Sequence, residues 1–265
     1  MNVYWMEQSA FDVPEENDWL SPDELLRMDA MRFVKRRSDW RLGRWTAKLA
    51  VGAYFGLEDR HSRLASIEIR NAPGGAPETY LEGKPAELRI SISHRAGLSV
   101  CAVAHPDLAL GCDLEVVEPR SDAFVTDYFT DEEQDLLTKT QPRYRAFLVT
   151  LLWSSKESAL KALREGLRLD TRSLVVSPDE SGWLVDREGK RFPRNSNFHS
   201  HVGPAFQWHP MQIRFKEGKD FRGFWRYNGQ FLRTIVGSPS VSLPIRLGFA
   251  PDQNGLAAKE TIHAA

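Results

Sequence analysis

One short pattern recurs 108 residues along the chain, and it constrains the fold more than any other feature of the sequence. Trp45-Thr46-Ala47-Lys48 starts one helical stretch, and Trp153-Ser154-Ser155-Lys156 starts another. Each stretch is followed by a glycine and then by a strand-like segment, ASIEIRN in the first case and TRSLVVS in the second. A repeated context of this kind favours similar structural units. We therefore expect an α+β fold of two similar, pseudo-duplicated α/β halves packed with a site at their interface.

The division of the chain follows from this pattern. Residues 1–105 are predicted to form the N-terminal half and residues 106–236 the C-terminal half. Residues 237–265 have no sustained hydrophobic periodicity, so we expect an extended, loosely attached tail. Removal of residues 240–265 should then be tolerated.

Two helix starts can be placed in the N-terminal half. Ser21-Pro22-Asp23-Glu24 has the features of a capping box, which predicts a helix from there to about Phe33. Ser38 or Asp39 is predicted to cap a second helix. That helix carries a dense set of cations (Lys35, Arg36, Arg37, Arg41, Arg44 and Lys48), which indicates either a solvated basic face or a docking patch for phosphate.

Composition limits the class of protein. With 27% charged and 42% hydrophobic residues, the chain is typical of globular proteins. A net charge of −1 gives no electrostatic reason to expect nucleic acid or an anionic membrane as a partner. Cys101 and Cys112 lie in apolar runs without metal-site spacing, which predicts buried thiols in a reducing compartment. There is neither a leader-like N-terminus nor an apolar run of membrane-spanning length, so we expect a cytoplasmic location.

Two acids lie in an otherwise apolar strand-like run. Asp113 and Glu115 flank Leu114, and residues two apart in a strand point to the same face. Carboxylates side by side repel each other unless solvent or a cation neutralises them. A half-exposed sheet face is one interpretation. The other adds Glu157 to form an all-oxygen site, the ligand type that Mg²⁺ prefers.

Glu157 and Lys161 are predicted to share one face of an amphipathic helix over Leu151–Leu167. A surface ion pair worth about 0.3–0.5 kcal/mol would explain the two residues equally well. Ser93-His94 follows a predicted strand, and Lys84 lies in a Gly-Lys-Pro turn. Taken singly, these residues are more typical of structural or solvated positions.

The order of these motifs resembles that of the 4′-phosphopantetheinyl transferases, and in particular the larger, surfactin-synthetase-activating type, a monomer of two similar halves. The matching segments are Gly83-Lys84-Pro85, Ile92-Ser93-His94, Gly111-Cys112-Asp113-Leu114-Glu115 and Trp153-Ser154-Ser155-Lys156-Glu157-Ser158-Ala159-Leu160-Lys161. They cover residues from about 20 to 170. Ser91 departs from the pattern, because the family usually has Asn at this position.

The resemblance implies that coenzyme A donates its phosphopantetheine arm to a serine of an apo acyl or peptidyl carrier protein, releasing adenosine 3′,5′-bisphosphate. It implies Mg²⁺ on Asp113, Glu115 and Glu157, with Glu157, directly or through a water, as the base and Lys161 on the reacting phosphate. Lys84, Ser93 and His94 would hold other phosphates or the nucleotide, and Arg37, Arg41 and Arg44 are candidates for the 3′-phosphate.

Three further points stay open at this stage. Carriers of fatty acid, polyketide and non-ribosomal peptide biosynthesis are all compatible with the resemblance, and contact with the carrier is expected near Phe124–Phe129. A coenzyme A-binding or carrier-binding homologue without activity is an alternative. An unrelated α+β enzyme that uses a metal for hydrolysis is another.

Overall fold

The structure, a computed structural model, describes residues 1–57, 61–179, 183–185, 189, 191–193 and 207–248. The helices are α1 (Pro22–Asp29), α2 (Val34–Tyr54), α3 (His61–Leu64), α4 (Asp122–Tyr128), α5 (Asp131–Thr138) and α6 (Arg145–Leu163). The strands are β1 (Val3–Ser9), β2 (Ile67–Asn71), β3 (Pro77–Leu81), β4 (Lys84–Pro85), β5 (Arg89–Arg95), β6 (Leu98–Ala104), β7 (Ala109–Val116), β8 (Leu174–Pro178), β9 (Trp183–Val185), β10 (Arg191–Pro193), β11 (His209–Phe215), β12 (Phe221–Tyr227), β13 (Phe231–Ser238) and β14 (Ile245–Arg246).

These elements form a mixed α+β fold, as predicted from the sequence. One sheet has the strand order β14-β1-β6-β5, and a second has the order β7-β13-β12-β11-β8. Strands β2, β3 and β4 form a small sheet, and β9 pairs with β10. Within the first sheet β1 runs antiparallel to β6 and parallel to β14.

Each large sheet has one long helix packed against it. Helix α2 buries Trp45, Leu49 and Ala50, which cluster with residues of β1 and β6. Helix α6 is buried on most of its surface and shares a cluster with β8, β11 and β13. A third apolar cluster, with members in β1, β6, β7 and β13, joins the two sheets.

The sheets meet where β5 lies against β7. The Cys112 backbone N–H donates to Ser91 Oγ at 2.9 Å, and the Cys112 thiol donates to the Ser91 carbonyl oxygen at 3.0 Å. Ser91, the residue that departs from the family pattern, therefore links one sheet to the other. Cys101 and Cys112 are buried free thiols, as predicted.

The repeated Trp-x-x-Lys pattern has matching contacts in the two halves. Lys48 and Lys156 are fully buried, and each forms an ion pair with a buried glutamate, Glu24 at 2.5 Å and Glu133 at 2.8 Å. Each ammonium also donates to two backbone carbonyls, those of Trp19 and Leu64 for Lys48 and those of Thr171 and Leu174 for Lys156.

The two glutamates occupy matching positions as well. Glu24 completes the capping box of Ser21, and Glu133 completes that of Thr130. Each also accepts a hydrogen bond from a strand, from the N–H of Ile69 in the first case and of Val176 in the second. The halves thus share a local architecture, while their origin by duplication stays a prediction.

Several predicted boundaries differ from the structure. Helix α1 ends at Asp29 rather than near Phe33. Helix α2 begins directly after Phe33, whose carbonyl accepts from Arg37 N, so Ser38 and Asp39 lie inside the helix and do not cap it. Helix α6 ends at Leu163 because Arg164 adopts a left-handed conformation with φ of 61°, which ends α-helical hydrogen bonding.

The prediction of a loose tail from residue 237 is wrong for its described part. Gly237 and Ser238 belong to β13, Val241 is buried, and β14 pairs with β1. The physical reason is that two residues of pairing suffice to cover an open sheet edge, although they are too few to show periodicity. Residues 249–265 lie outside the described part.

Among the residues that the structure describes, no helix is long and apolar enough to cross a membrane.

Candidate active site

Asp113 lies at the centre of the site, where β5, β7 and α6 meet. Its side chain is 5% exposed. Oδ1 accepts hydrogen bonds from the Ser93 hydroxyl at 2.9 Å and the Lys161 ammonium at 2.7 Å. Oδ2 accepts from the Ser154 hydroxyl at 2.8 Å. Ser93, Asp113 and Lys161, all predicted from the sequence as site residues, are therefore in direct contact.

Gly111 explains how α6 comes so close to β7. A Cβ at this position would lie 1.8 Å from the Ser158 carbonyl oxygen and 2.9 Å from the Ala162 nitrogen. These distances are far below van der Waals contact, so only glycine lets the helix backbone rest on the strand. The glycine of the Gly-x-Asp-x-Glu motif thus sets the distance from Asp113 to its partners on α6.

Glu115 points to the same face as Asp113, as the period of a strand predicts. Its Oε2 lies 3.6 Å from Arg95 Nε and 3.7 Å from Arg120 Nη2. This oxygen is buried and has no hydrogen-bond partner within the described residues. Burial, followed by the charge of Asp113, raises the pKa of Glu115, against the opposing effect of Arg95 and Arg120. The two guanidinium groups therefore do not fully offset the effect of burial on Glu115.

Glu157 is half-buried one turn before Lys161 on α6. Burial raises its pKa, the negative charges of Asp113 and Glu115 raise it further, and Lys161 opposes them. The three predicted acids therefore influence one another electrostatically.

The ion-pair partner of Lys161 is Asp113, not Glu157. Burial lowers the pKa of the ammonium, but Asp113 outweighs it and the net shift is upward. Lys161 also donates to the Cys112 carbonyl oxygen at 3.1 Å. The interpretation of Glu157 and Lys161 as a simple surface pair is therefore wrong.

His94 borders the same region from the end of β5. Its ring lies beside Gly43 of α2, where a Cβ would be 4.0 Å from Cδ2. Partial burial lowers the pKa of His94, and Lys161 and Lys35 lower it further, while Asp39 opposes them. Lys84, in contrast, is exposed on β4, and its predicted contact with a phosphate stays a prediction.

The structure does not bring the three predicted arginines together. Arg37 donates to the Met31 carbonyl at 2.8 Å, and Arg41 donates to the carbonyls of Pro14, Glu15 and Glu16. Arg44 is buried, donates to Asn71 Oδ1 at 3.0 Å, and lies 3.8 Å from Glu24. Burial lowers its pKa to about 10, with Glu24 opposing and Arg27 contributing.

Arg44 instead lines a cavity of about 510 Å³ with Arg36, which belongs to the basic set noted in the sequence, and with Arg27 and Arg32, which sequence reasoning did not select. The lining consists of Arg27, Ala30, Met31, Arg32, Phe33, Arg36, Trp40, Arg44 and Asn71. Four guanidinium groups around one cavity make it suited to an anion. The density of basic residues was visible in the sequence, but which of them share a side of α2 depended on where the helix begins.

A second cavity, of about 440 Å³, lies between β5, the start of β7 and the end of α6. Lys161 lines it together with Arg89, Leu110 and Arg164. Burial and the neighbouring Arg164 lower the pKa of Arg89, whereas Glu78 raises it. The Asp113 centre thus adjoins open space with a positive lining.

The donor chemistry of the site fits Mg²⁺. As the side chains stand, no three His, Cys, Asp or Glu residues of the described ranges form a group that could hold a metal ion. The Lys161 ammonium takes up one oxygen of Asp113, which is the position where a second cation would compete. Asp113, Glu115 and Glu157 nevertheless bring carboxylate oxygens to one region, where Glu115 Oε2 accepts no hydrogen bond within the described residues and burial and mutual repulsion raise the pKa values of Glu115 and Glu157.

Comparison with known proteins concerns the part of this site that lies on β7 and α6. Residues 109–212 match the family model of the 4′-phosphopantetheinyl transferase superfamily. That segment contains Asp113, Glu115, Glu157 and Lys161, but it excludes Ser93, His94 and the arginine-lined cavity.

One solved structure that resembles part of the chain is the Helicobacter pylori holo-[acyl-carrier-protein] synthase in complex with coenzyme A. The match has 19% identity and a TM-score of 0.32, and covers 39% of this chain and 98% of that one. Similarity this low carries no argument about function. No curated protein gives a significant match. Through residues 109–212, which contain the acids and the lysine of the site, the chain is thus similar to the 4′-phosphopantetheinyl transferase superfamily.

Proposed function

We propose that this protein transfers the 4′-phosphopantetheine arm of coenzyme A to a serine of an apo carrier protein. The observation that carries the proposal is the contact of Asp113 with Ser93, Ser154 and Lys161, beside Glu115 and Glu157. It combines oxygen ligands with a fixed cation at the junction of the two sheets. Phosphoryl transfer to an alcohol depends mainly on positioning and charge stabilisation, which such groups supply.

Asp113, Glu115 and Glu157 would hold Mg²⁺. When bound, the ion would supply positive charge to the pyrophosphate of coenzyme A. Burial raises the pKa values of Glu115 and Glu157 and repulsion from Asp113 raises them further, and a bound cation would relieve that repulsion.

Lys161 contacts the reacting phosphate in this proposal. Its raised pKa keeps the ammonium charged, and its amine already lies beside Asp113 and the Cys112 carbonyl. As the substrate binds, the Lys161 ammonium would exchange its contact with Asp113 Oδ1 for a contact with a phosphate oxygen. Asp113 Oδ1 would thereby lose one of its two hydrogen-bond donors. Ser93, on the same Asp113 oxygen, and His94 at the end of β5 would contact neighbouring phosphate oxygens.

Glu157 is the proposed base for the attacking serine hydroxyl. A base works best when its pKa lies near the working pH. Burial and two neighbouring acids shift Glu157 in that direction. Its half-buried position on α6 leaves the carboxylate accessible to an incoming hydroxyl.

We assign the 3′-phosphate of coenzyme A to the cavity lined by Arg27, Arg32, Arg36 and Arg44. Arg44 lies deepest, its guanidinium stacked 5.0 Å from the Trp40 ring. Arg37 and Arg41 are left out of this assignment because carbonyl groups already accept their hydrogen bonds.

Contact with the carrier is proposed at α4, where Phe124, Tyr128 and Trp153 form an aromatic cluster with ring centroids 4.8–5.1 Å apart. Burial raises the pKa of Glu115, and the Trp153 side chain is among the groups that oppose this rise, which links the aromatic cluster to the site. A monomer of the surfactin-synthetase-activating type remains part of the proposal.

The test mixes the protein with coenzyme A, Mg²⁺ and several apo carrier proteins, and weighs the carriers by mass spectrometry. We expect one phosphopantetheine mass to be added by the wild type and none by Glu157→Gln or Asp113→Ala. Glu165→Gln, an exposed acid just past the end of α6, is the control and should behave as wild type. Coenzyme A binding by calorimetry without transfer to any carrier would instead favour the inactive homologue.

A further inference from the structure

Three buried hydroxyl groups form a chain that ends on Asp113. Ser154 and Ser158 come from α6 and Thr234 comes from β13, and each is fully buried. Ser154 Oγ lies 2.8 Å from Asp113 Oδ2 and 2.9 Å from Thr234 Oγ1. Ser158 Oγ lies 2.7 Å from Thr234 Oγ1. The four side chains are therefore linked without interruption.

The carboxylate determines the direction of the first hydrogen bond in this series of hydroxyl groups. A carboxylate beside a lysine ammonium only accepts, so the single Ser154 proton goes to Asp113. Thr234 then donates to Ser154, either to Oγ or to the backbone oxygen at 3.0 Å. Ser158 donates to Thr234, either to Oγ1 or to the backbone oxygen at 3.3 Å. Where the hydroxyl oxygens are the acceptors, all three O–H dipoles point towards Asp113 and each strengthens the next.

The linked hydroxyl groups of Ser154, Thr234 and Ser158 restrain the Asp113 carboxylate from the side opposite to Lys161. Lys161 and Ser93 both contact Oδ1, whereas Ser154 alone contacts Oδ2. Without Ser154 the carboxylate could rotate about its Cβ–Cγ bond. With it, three of about four acceptor positions are taken, and the remaining one has a fixed direction.

Two structural features bring the hydroxyl groups together. Thr234 is the cross-strand partner of Asp113, so the two side chains share a face of the sheet. Gly111 brings α6 into backbone contact with that face at Ser158. Thr234 also lies beyond the segment 109–212 that matches the superfamily model.

We propose that Ser154 and Thr234 are positioning residues that hold the Asp113 carboxylate in the orientation needed for Mg²⁺. The inference rests on the proposed function, because it assumes that Asp113 is a metal ligand. Ser158 supports the pair from the far end of the chain. Hydrogen-bonding partners of metal ligands typically change metal affinity or activity by about 10- to 100-fold when removed.

The experiment compares Ser154→Ala, Thr234→Val and Thr234→Ser with the wild type. Ser155→Ala is a matched control, since Ser155 is an equally buried serine of the same helix that donates to the Leu151 carbonyl and not to Asp113. Binding of Mn²⁺ in the presence of coenzyme A is measured by electron paramagnetic resonance of the free ion. Thermal unfolding and the Mg²⁺ dependence of transfer are recorded for each variant.

We expect Ser154→Ala to bind Mn²⁺ about 10- to 100-fold more weakly and to recover turnover at high Mg²⁺. Thr234→Val should show a smaller shift in the same direction, while Thr234→Ser and Ser155→Ala should match the wild type. A folded Ser154→Ala with unchanged Mn²⁺ affinity overturns the inference, and so does an equal loss in Ser155→Ala.

Different results would refute the proposed function and the inference about Ser154 and Thr234. A wild type that binds no Mn²⁺ refutes the metal assignment and the inference with it. A wild type that binds Mn²⁺ but modifies no carrier refutes the proposed function, while the Mn²⁺ affinities of the variants still decide the role of Ser154 and Thr234.

Discussion

At the scale of single residues, charge balance distinguishes the acids of the candidate site from the buried acids Glu24 and Glu133. Glu133 and Glu24 are buried against a lysine ammonium that neutralises them. Burial raises the pKa values of Glu115 and Glu157, and the negative charge of Asp113 raises them further. Perturbed carboxylates of this kind, clustered at the meeting point of elements, are typical of functional sites.

Glu157 should therefore destabilise the metal-free protein at neutral pH. Because burial raises its pKa in the folded state above the ordinary value of 4.5, the native state binds more protons than the unfolded state in the pH window just above that value. Stability is then lost as the pH rises through the window, and the loss is complete above the folded pKa. In EDTA, Glu157→Gln should be more stable than the wild type at neutral pH and indistinguishable from it below about pH 4.5.

Urea unfolding across this pH range checks the prediction. Addition of Mg²⁺ and coenzyme A should reverse the order, because only the wild type keeps the full set of carboxylates. A stability gap that widens towards acid pH would show that the sign of the shift is wrong.

Arg36 and Arg37, which are neighbours in the sequence, should differ in their contribution to binding of the 3′-phosphate. Arg36 lines the arginine-rich cavity, whereas Arg37 is bound to the Met31 carbonyl. A hydrogen bond to a charged group contributes about 1.5–3 kcal/mol, so Arg36→Ala should raise KM for coenzyme A by at least about 10-fold. It should change KM for 3′-dephospho-coenzyme A little. Steady-state kinetics with both donors are the measurement. An equal change in Arg37→Ala of the preference for coenzyme A over 3′-dephospho-coenzyme A would contradict the assignment.

At the scale of elements, the site depends on how closely α6 approaches β7. Helix α6 runs across the strand so that Ser154, Ser158 and Lys161 all reach Asp113 or its partners. Gly111 makes this possible at one point of contact. A small separation of the two elements would therefore break several hydrogen bonds at once.

Gly111→Ala should lower both stability and activity. The added methyl group would overlap the Ser158 carbonyl at 1.8 Å, which is backbone and can only move with the whole helix. Overpacking of this kind costs about 1–3 kcal/mol, occasionally more. Gly43→Ala is the control, since its Cβ would meet only side chains at 3.7 Å or beyond and helix propensity favours alanine by about 1 kcal/mol. Thermal unfolding of both variants is the measurement. A wild-type melting temperature for Gly111→Ala would contradict the close contact between α6 and β7.

Lys156 should prove structural although it belongs to the same motif as Glu157. Removal of its ammonium in Lys156→Met leaves the buried Glu133 carboxylate without its ion-pair partner. This should lower the free energy of unfolding by about 3–5 kcal/mol. Lys139→Met removes an exposed pair with Asp135 and should cost less than about 1 kcal/mol. Urea denaturation measures both, and similar losses in the two variants would mean that the Lys156 pair is not buried in solution.

At the scale of the whole molecule, the two ends of the described chain close the first sheet. β14 pairs with β1, Leu247 N donates to the Trp5 carbonyl at 2.7 Å, and Ser242 N donates to the Met1 carbonyl at 2.9 Å. The first sheet carries Ser93 and His94 on its other edge strand, β5. Residues 241–248 therefore stabilise the sheet that supplies Ser93 and His94 to the candidate site.

A chain that ends at residue 239 should be less stable than one that ends at residue 248. Loss of Val241 alone removes a buried side chain worth about 1.5–3 kcal/mol, and the edge of β1 loses its partner. This replaces the expectation that removal of residues 240–265 is tolerated. Denaturant midpoints of the two truncated proteins are the measurement, and equal midpoints would restore the original expectation.

Local sequence patterns were sufficient for much of this protein. The capping box at Ser21, the strand that places Asp113 and Glu115 on one face, and the helix that carries Glu157 and Lys161 all depend on residues within a few positions of each other. Chain geometry relates such neighbours by fixed periods of 2 and 3.6 residues, so they can be predicted without the fold.

The contacts that make a site of these residues were decided by packing. Lys156 and Lys161 belong to one motif, yet one pairs with Glu133 and the other with Asp113. Arg36 rather than Arg37 reaches the cavity because α2 begins at Val34. Thr234 meets Asp113 only because β13 pairs with β7, and Ser154 meets both only because α6 rests on Gly111. No local period relates residues so far apart in the chain, and burial of the shared apolar surfaces brings them together.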